Sequence, residues 1–133
     1  GVKTAVVKHD GHEFELDREG KDTWRFAQSG AEIVAITSAS KAAVMFYHPL
    51  TLEEILSSIS GVGLILVEGW KASGLPRIEV HRKQTGKPLY AKPEELLAVI
   101  SDEPIEGAAR MFALEDYARV ADYLCKACAN GTF

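Results

Sequence analysis

A carboxylate and a glycine at the end of an unbroken apolar run form the clearest chemical signal in this sequence. Leu64-Ile65-Leu66-Val67 is apolar at every position and runs into Glu68-Gly69, the form of a Walker-B-like strand. A carboxylate so placed can hold Mg²⁺ through water, because Mg²⁺ keeps much of its hydration shell. The adjoining glycine lets backbone approach a phosphate closely. The same six residues also read as an acidic residue in an ordinary strand-to-loop turn. Two other apolar runs end in polar groups: Thr4 to Val7 runs into Lys8-His9-Asp10, and Leu97 to Ile100 runs into Ser101-Asp102. Lys8 and His9, with His12, can meet a phosphate or a metal, but two histidines three apart lack a third metal ligand. A polar loop after a strand is the alternative. Asp102 can accept from guanine N1 and N2 groups, or cap the turn that follows it.

Cys125-Lys126-Ala127-Cys128 matches C-x-x-C, with no second pair to complete a zinc site. Helical spacing puts Leu114, Tyr117, Ala118, Ala121, Leu124, Cys125 and Cys128 on one face. Both thiols are therefore expected in the core, as small hydrophobes. No Ser-His-Asp arrangement marks a hydrolase.

The elements that must position these groups alternate between strand and helix. Thr4 to Val7, Ile33 to Thr37, Ala42 to Tyr47, Leu64 to Val67, positions 77–82 and Leu97 to Ile100 read as strands. Positions 11–21 form a polar loop. Asp22 is expected to cap a helix through Trp24 and Phe26, which Gly30 stops. Thr51-Leu52-Glu53-Glu54 is a capping-box pattern for a second helix, whose face carries Leu52, Ile55, Leu56 and Ile59. Asn130-Gly131 ends the last helix. The all-apolar 64–67 run suits a strand covered on both faces. Alternation of this kind predicts an α/β layered, mostly parallel sheet. In such sheets ligands bind beyond the carboxyl ends of the strands, which would set Lys8-His9-Asp10, Glu68-Gly69 and Ser101-Asp102 on one rim.

Length and composition bound the rest. At 133 residues and 47% apolar, the chain suits a single domain, 1–133, with a core of its own. Fifteen basic against nineteen acidic residues leave a net charge of -4, which gives no footprint for nucleic acid or an acidic membrane. No apolar run approaches the roughly 20 residues of a membrane span, and the first 20 positions lack a signal-peptide pattern. Two cysteines are too few for a disulfide framework, so a reducing cytoplasm is the expected setting.

Several segments, in order and spacing, resemble the MobB family, molybdopterin-guanine dinucleotide biosynthesis protein B. They are Lys8-His9-Asp10-Gly11-His12, Asp17, Gly20-Lys21-Asp22-Thr23-Trp24-Arg25, Ser29-Gly30-Ala31, Leu64 through Lys71, and Ala98 through Asp102. The resemblance implies a P-loop NTPase-like fold, GTP binding with Mg²⁺, weak hydrolysis at most, a homodimer, and assistance to a MobA-type guanylyltransferase. It implies Glu68 near Mg²⁺ as the catalytic and metal-binding group and Gly69 near the γ-phosphate. Lys8, His9, Asp17 and Asp22 would line the phosphate or partner face. Asp102 would meet the guanine.

The sequence departs from the family in one respect. No G-x-x-x-x-G-K-[ST] run occurs in it; that loop supplies backbone N–H groups and a lysine to the phosphates. The first strand, loop and helix of the family fold are thus expected to lie outside these residues, or to be replaced by another segment or chain. By themselves, the 133 residues are expected to bind GTP at least ~1,000-fold more weakly than a chain with the loop. An uncovered strand edge would favour at least a dimer. A different class remains open, an interaction module without nucleotide. So does a metallochaperone GTPase using His9, His12, Cys125 and Cys128.

Overall fold

The strand and helix patterns are realised in two compact units. A computed structural model describes residues 1–131. Lys3–Trp70 make the first unit, and Gly1–Val2 with Lys71–Phe133 the second. The first contains β1 (Thr4–Lys8), α1 (Asp22–Gln28), β2 (Ile33–Thr37), β3 (Ala42–Phe46), α2 (Leu52–Ser58) and β4 (Leu64–Glu68). The second contains β5 (Ile78–His81), β6 (Ala98–Ser101), β7 (Met111–Phe112) and α3 (Tyr117–Ala129). Short 3₁₀ turns at Lys83–Thr85 and Pro93–Glu95 stand between β5 and β6.

In the first unit β1 and β4 pair in parallel, Thr4 opposite Leu64 through Lys8 opposite Glu68. The crossover between them holds the β2–β3 hairpin, paired antiparallel from Ile33–Phe46 to Thr37–Ala42. Ser38 closes its turn, with its Oγ accepting from Ser40 N and Lys41 N. The capping box forms as expected: Thr51 Oγ1 accepts from Glu54 N at 3.2 Å, and the Glu54 carboxylate accepts from Thr51 N at 2.8 Å.

In the second unit β6 runs between β5 and β7, parallel to both. A strand paired on both edges is the best place to bury apolar residues. Val99 is 0% exposed, and Ala98, Leu96, Phe112 and Ala127 join it in the core. The architecture is therefore α/β with mostly parallel pairing.

Three local expectations are corrected. Asp22 does not cap α1; it is the first helical residue, and Lys21 occupies the cap position with no side-chain bond. A carboxylate in that first turn meets the helix dipole favourably without bonding an N–H. β4 is not covered on both faces: it pairs only with β1 among the described strands, and Leu66 is 37% exposed. Finally, α3 is turned away from its expected face. Ala127 is buried, Val120, Tyr123 and Leu124 are half-buried, and Tyr117, Ala118 and Ala121 face solvent. With Tyr123 drawn to Phe112 and to the Leu97 carbonyl, Cys125 and Cys128 are only half-buried.

Candidate functional site

Parallel pairing of β1 with β4 brings the first two polar strand ends together. Lys8 and Glu68 are register partners, and His9 N donates to Glu68 O at 2.8 Å, which continues the ladder one step past β1. Glu68 itself is exposed. Beside it Gly69 turns the chain with φ +87°, a conformation that favours glycine. A Cβ there would collide with the His9 carbonyl oxygen. The glycine is thus required by the backbone of β1's end, a reason the sequence alone did not reveal. The His9 and Trp70 rings lie 4.7 Å apart, tilted by 57°, and flank this turn.

Asp10, which the sequence reading set on the rim without a role of its own, organises the following loop. Its carboxylate accepts from His12 N at 3.3 Å, and lies 4.0 Å from Lys8 Nζ and 3.6 Å from His12 Nδ1. A carboxylate centred between two basic residues keeps Lys8 close to the strand end. The chemistry available at this rim is two exposed carboxylates, one ammonium and two imidazoles around a glycine turn, with Asp10 already engaged by Lys8 and His12.

Asp17 has a different role. Its Oδ1 accepts from Thr23 Oγ1 and Arg18 N, both at 2.8 Å, and its Oδ2 from Tyr47 OH at 3.3 Å. It ties the loop to the start of α1 and to the end of β3. Burial and the Asp17 carboxylate both raise the Tyr47 pKa above its ordinary value. Tyr47 is a partner that no spacing pattern could reveal, thirty residues away. Asp22, exposed in the first turn of α1, shows no such ties among the described residues.

Asp102 belongs to the second unit, at the end of β6. Its Oδ1 accepts from Lys83 N at 2.8 Å, nineteen residues back at the 3₁₀ turn after β5, rather than capping the turn that follows it. Next to it, His81 Nε2 lies 2.9 Å from Glu103 Oε1, and Lys83 Nζ 3.4 Å from Glu103 Oε2. The bond to His81, with the Lys83 ammonium, lowers the Glu103 pKa against the opposing effect of burial. Ser101 is buried and accepts from Glu103 N at 3.0 Å. The structure thus gathers Lys8, His9, Glu68 and Gly69 at one turn, gives Asp17 a separate network, and places Asp102 in another cluster. Among the described residues, His9, His12, Cys125 and Cys128 join no group of three metal ligands. No described helix is long and apolar enough to cross a membrane.

The model of the family described as molybdopterin guanine dinucleotide synthesis protein B matches residues 1–102. A molybdopterin-guanine dinucleotide biosynthesis adapter protein of Haemophilus influenzae is 30% identical over 127 residues, which span 92% of this chain and 71% of that protein. The Escherichia coli protein of the same description is 29% identical over 136 residues, with 93% and 75% covered. Among solved structures, a molybdopterin-guanine biosynthesis protein B superposes with a TM-score of 0.69 at 27% identity, covering 97% of this chain and 81% of the other. Bacillus subtilis MobB also gives a TM-score of 0.69, at 23% identity, covering 94% and 80%. The α/β fold is that of these structures.

Proposed function

This chain belongs to the molybdopterin guanine dinucleotide synthesis protein B family, and from that premise we propose that it acts in molybdenum cofactor biosynthesis as a GTP-binding adapter. In this reading it assists a MobA-type guanylyltransferase in forming molybdopterin guanine dinucleotide. The observation that carries the nucleotide half is the β1–β4 end, where Lys8 and Glu68 stand opposite each other beside a turn that admits only glycine. The exposed Glu68 carboxylate fits hydrated Mg²⁺, which is commonly bound by one or two carboxylates together with substrate phosphates. Bound there, Mg²⁺ would offset charge on the β- and γ-phosphate oxygens. Glu68 would hold its hydration shell and Lys8 and His9 would face the phosphates, with Gly69 near the γ-phosphate by its backbone, since the space a side chain would take is filled by the His9 carbonyl. Asp22 serves the phosphate or partner face. Asp17 shapes that face through Thr23 and Tyr47. Asp102 retains acceptor capacity for a guanine. The backbone phosphate cradle comes from outside these residues, since none of their glycines lies in a G-x-x-x-x-G-K-[ST] run.

Calorimetry on the natural full-length protein tests this. GTP with Mg²⁺ is expected to bind, and Glu68→Gln is expected to remove most of the Mg²⁺ dependence while leaving the fold intact. Unchanged Mg²⁺ dependence in Glu68→Gln would place the metal elsewhere.

A second reading is favoured by the exposed apolar surface of the first unit. Val6, Ile33, Val44, Phe46 and Leu66 are all exposed, more apolar area than isolated surface residues explain. It supports an interaction module and a homodimer, with or without nucleotide. Light scattering at micromolar concentration decides, a stable monomer counting against it.

A further inference from the structure

We propose that a cavity along α3 binds a small phosphate monoester. The cavity has a volume of about 390 Å³ and is lined by Arg110, Arg119, Asp122, Tyr123, Lys126 and Asn130. It is open to solvent and admits a small ligand at the surface. Three cations face a single lining carboxylate, and each is held in place. Arg119 Nη1 donates to Asp116 Oδ2 at 2.7 Å, one turn away, and Lys126 Nζ to Asp122 Oδ2 at 2.6 Å.

Arg110 is held differently. Its guanidinium carbon lies 4.7 Å from the centre of the Tyr123 ring, and it joins no ion pair among the described residues. An aromatic face positions a guanidinium without neutralising it. The ring is itself fixed, because Tyr123 OH donates to Leu97 O at 3.3 Å and the ring packs 5.7 Å from that of Phe112. Arg110 is therefore a preset cation whose charge is left for a ligand, and its planar fork matches phosphate oxygens.

Arg110 supplies the unpaired charge, while Arg119 and Lys126, each already paired with a carboxylate, add the N–H donors those pairs leave unused, so donors from three positions meet the three terminal oxygens of a phosphoryl group rather than the two of a carboxylate. The carbonyl end of α3 opposes an anion, by less than one charge-assisted hydrogen bond contributes. The cavity lies beyond residues 1–102, the part matched by the family model, and the proposal does not rest on GTP binding.

The test is calorimetric titration of the whole chain with inorganic phosphate, glycerol 3-phosphate and malonate at constant ionic strength. Both phosphate probes are expected to saturate one site. Arg110→Gln should weaken them about tenfold or more, the loss of one charge-assisted hydrogen bond. Lys126→Gln should weaken them also, whereas Lys41→Gln, which removes an exposed cation of the other unit, should not. If Arg110→Gln loses its fold by circular dichroism, Lys126→Gln decides, because its exposed side chain carries no core packing. Malonate binding as tightly, glycerol 3-phosphate failing to bind, or Lys41→Gln weakening binding equally would each overturn the proposal.

Discussion

Two apolar runs that look alike in sequence, Leu64–Glu68 and Ala98–Ser101, end in different circumstances. β6 lies between two parallel neighbours and buries Val99 completely. β4 has one neighbour among the described strands, and the face it shares with β1 leaves Val6 68% exposed. Burial of a strand is set by how many elements cover it, so composition gives the capacity and topology the result. The difference also separates two kinds of site. The Glu68 turn sits at the end of a sparsely covered sheet, next to apolar surface that suits docking. The Arg110 cavity is built on the better-packed unit, where a ring is fixed firmly enough to orient a guanidinium.

The largest effect expected from this contrast is in the second core. Phe112→Ala should lower unfolding free energy by about 3–5 kcal/mol, whereas Val6→Ala should change it by no more than about 0.5 kcal/mol. Urea unfolding of both variants checks this. An equal loss from Val6→Ala would break the comparison, because Val6 would then be covered in solution. Gly69→Ala comes next, at about 1–3 kcal/mol for an unfavourable φ together with the His9 clash. Its signature is local, so amide exchange should quicken at His9 and Glu68 before the β5–β6–β7 sheet. Thr51→Ala should cost about 1 kcal/mol by removing the cap of α2. A Glu54→Ala variant that matches it would show that the reciprocal bond matters as much.

The smallest effects are titrations. Glu103 has a lowered folded pKa, chiefly through its bond to His81 and then through Lys83. A depressed folded value means stability that is present above the unfolded pKa and lost as pH falls through the folded one. The loss is expected below the ordinary glutamate range, and His81→Asn should bring the Glu103 titration back upward by NMR. Tyr47 lies in the first unit and shifts the other way, raised by burial and by Asp17. Ultraviolet titration should place its ionisation above the ordinary tyrosine value, and Asp17→Asn should lower it. No change in Asp17→Asn would remove Asp17 from the network that shapes the rim.

Much of the fold was legible because the signals were local. Thr51 and Glu54 lie three residues apart, within one helical turn, and the expected capping box is the one formed. Alternation and apolar runs marked β1 through β6, while the two-residue β7 was too short to show a period. At α1 the order of residues was right but Asp22 sat one position inside the helix. The α3 face was misjudged because Tyr117, Ala118 and Ala121 satisfy the same helical spacing as the residues that are covered. Periodicity cannot choose between two apolar stripes when both are present.

The sequence by itself determined which segments become strands and helices, the apolar run that ends at Glu68-Gly69, and the resemblance that points to molybdopterin guanine dinucleotide formation. Those depend on propensity, caps and residue order, which act within a few positions. Only the tertiary structure decided that His9 closes against Gly69, that Asp17 reaches Tyr47, that β4 stays half-covered, and that Tyr123 holds Arg110 over a cavity. Each of these depends on which distant element arrives alongside, and burial, hydrogen bonding and charge environment take their values only once it has.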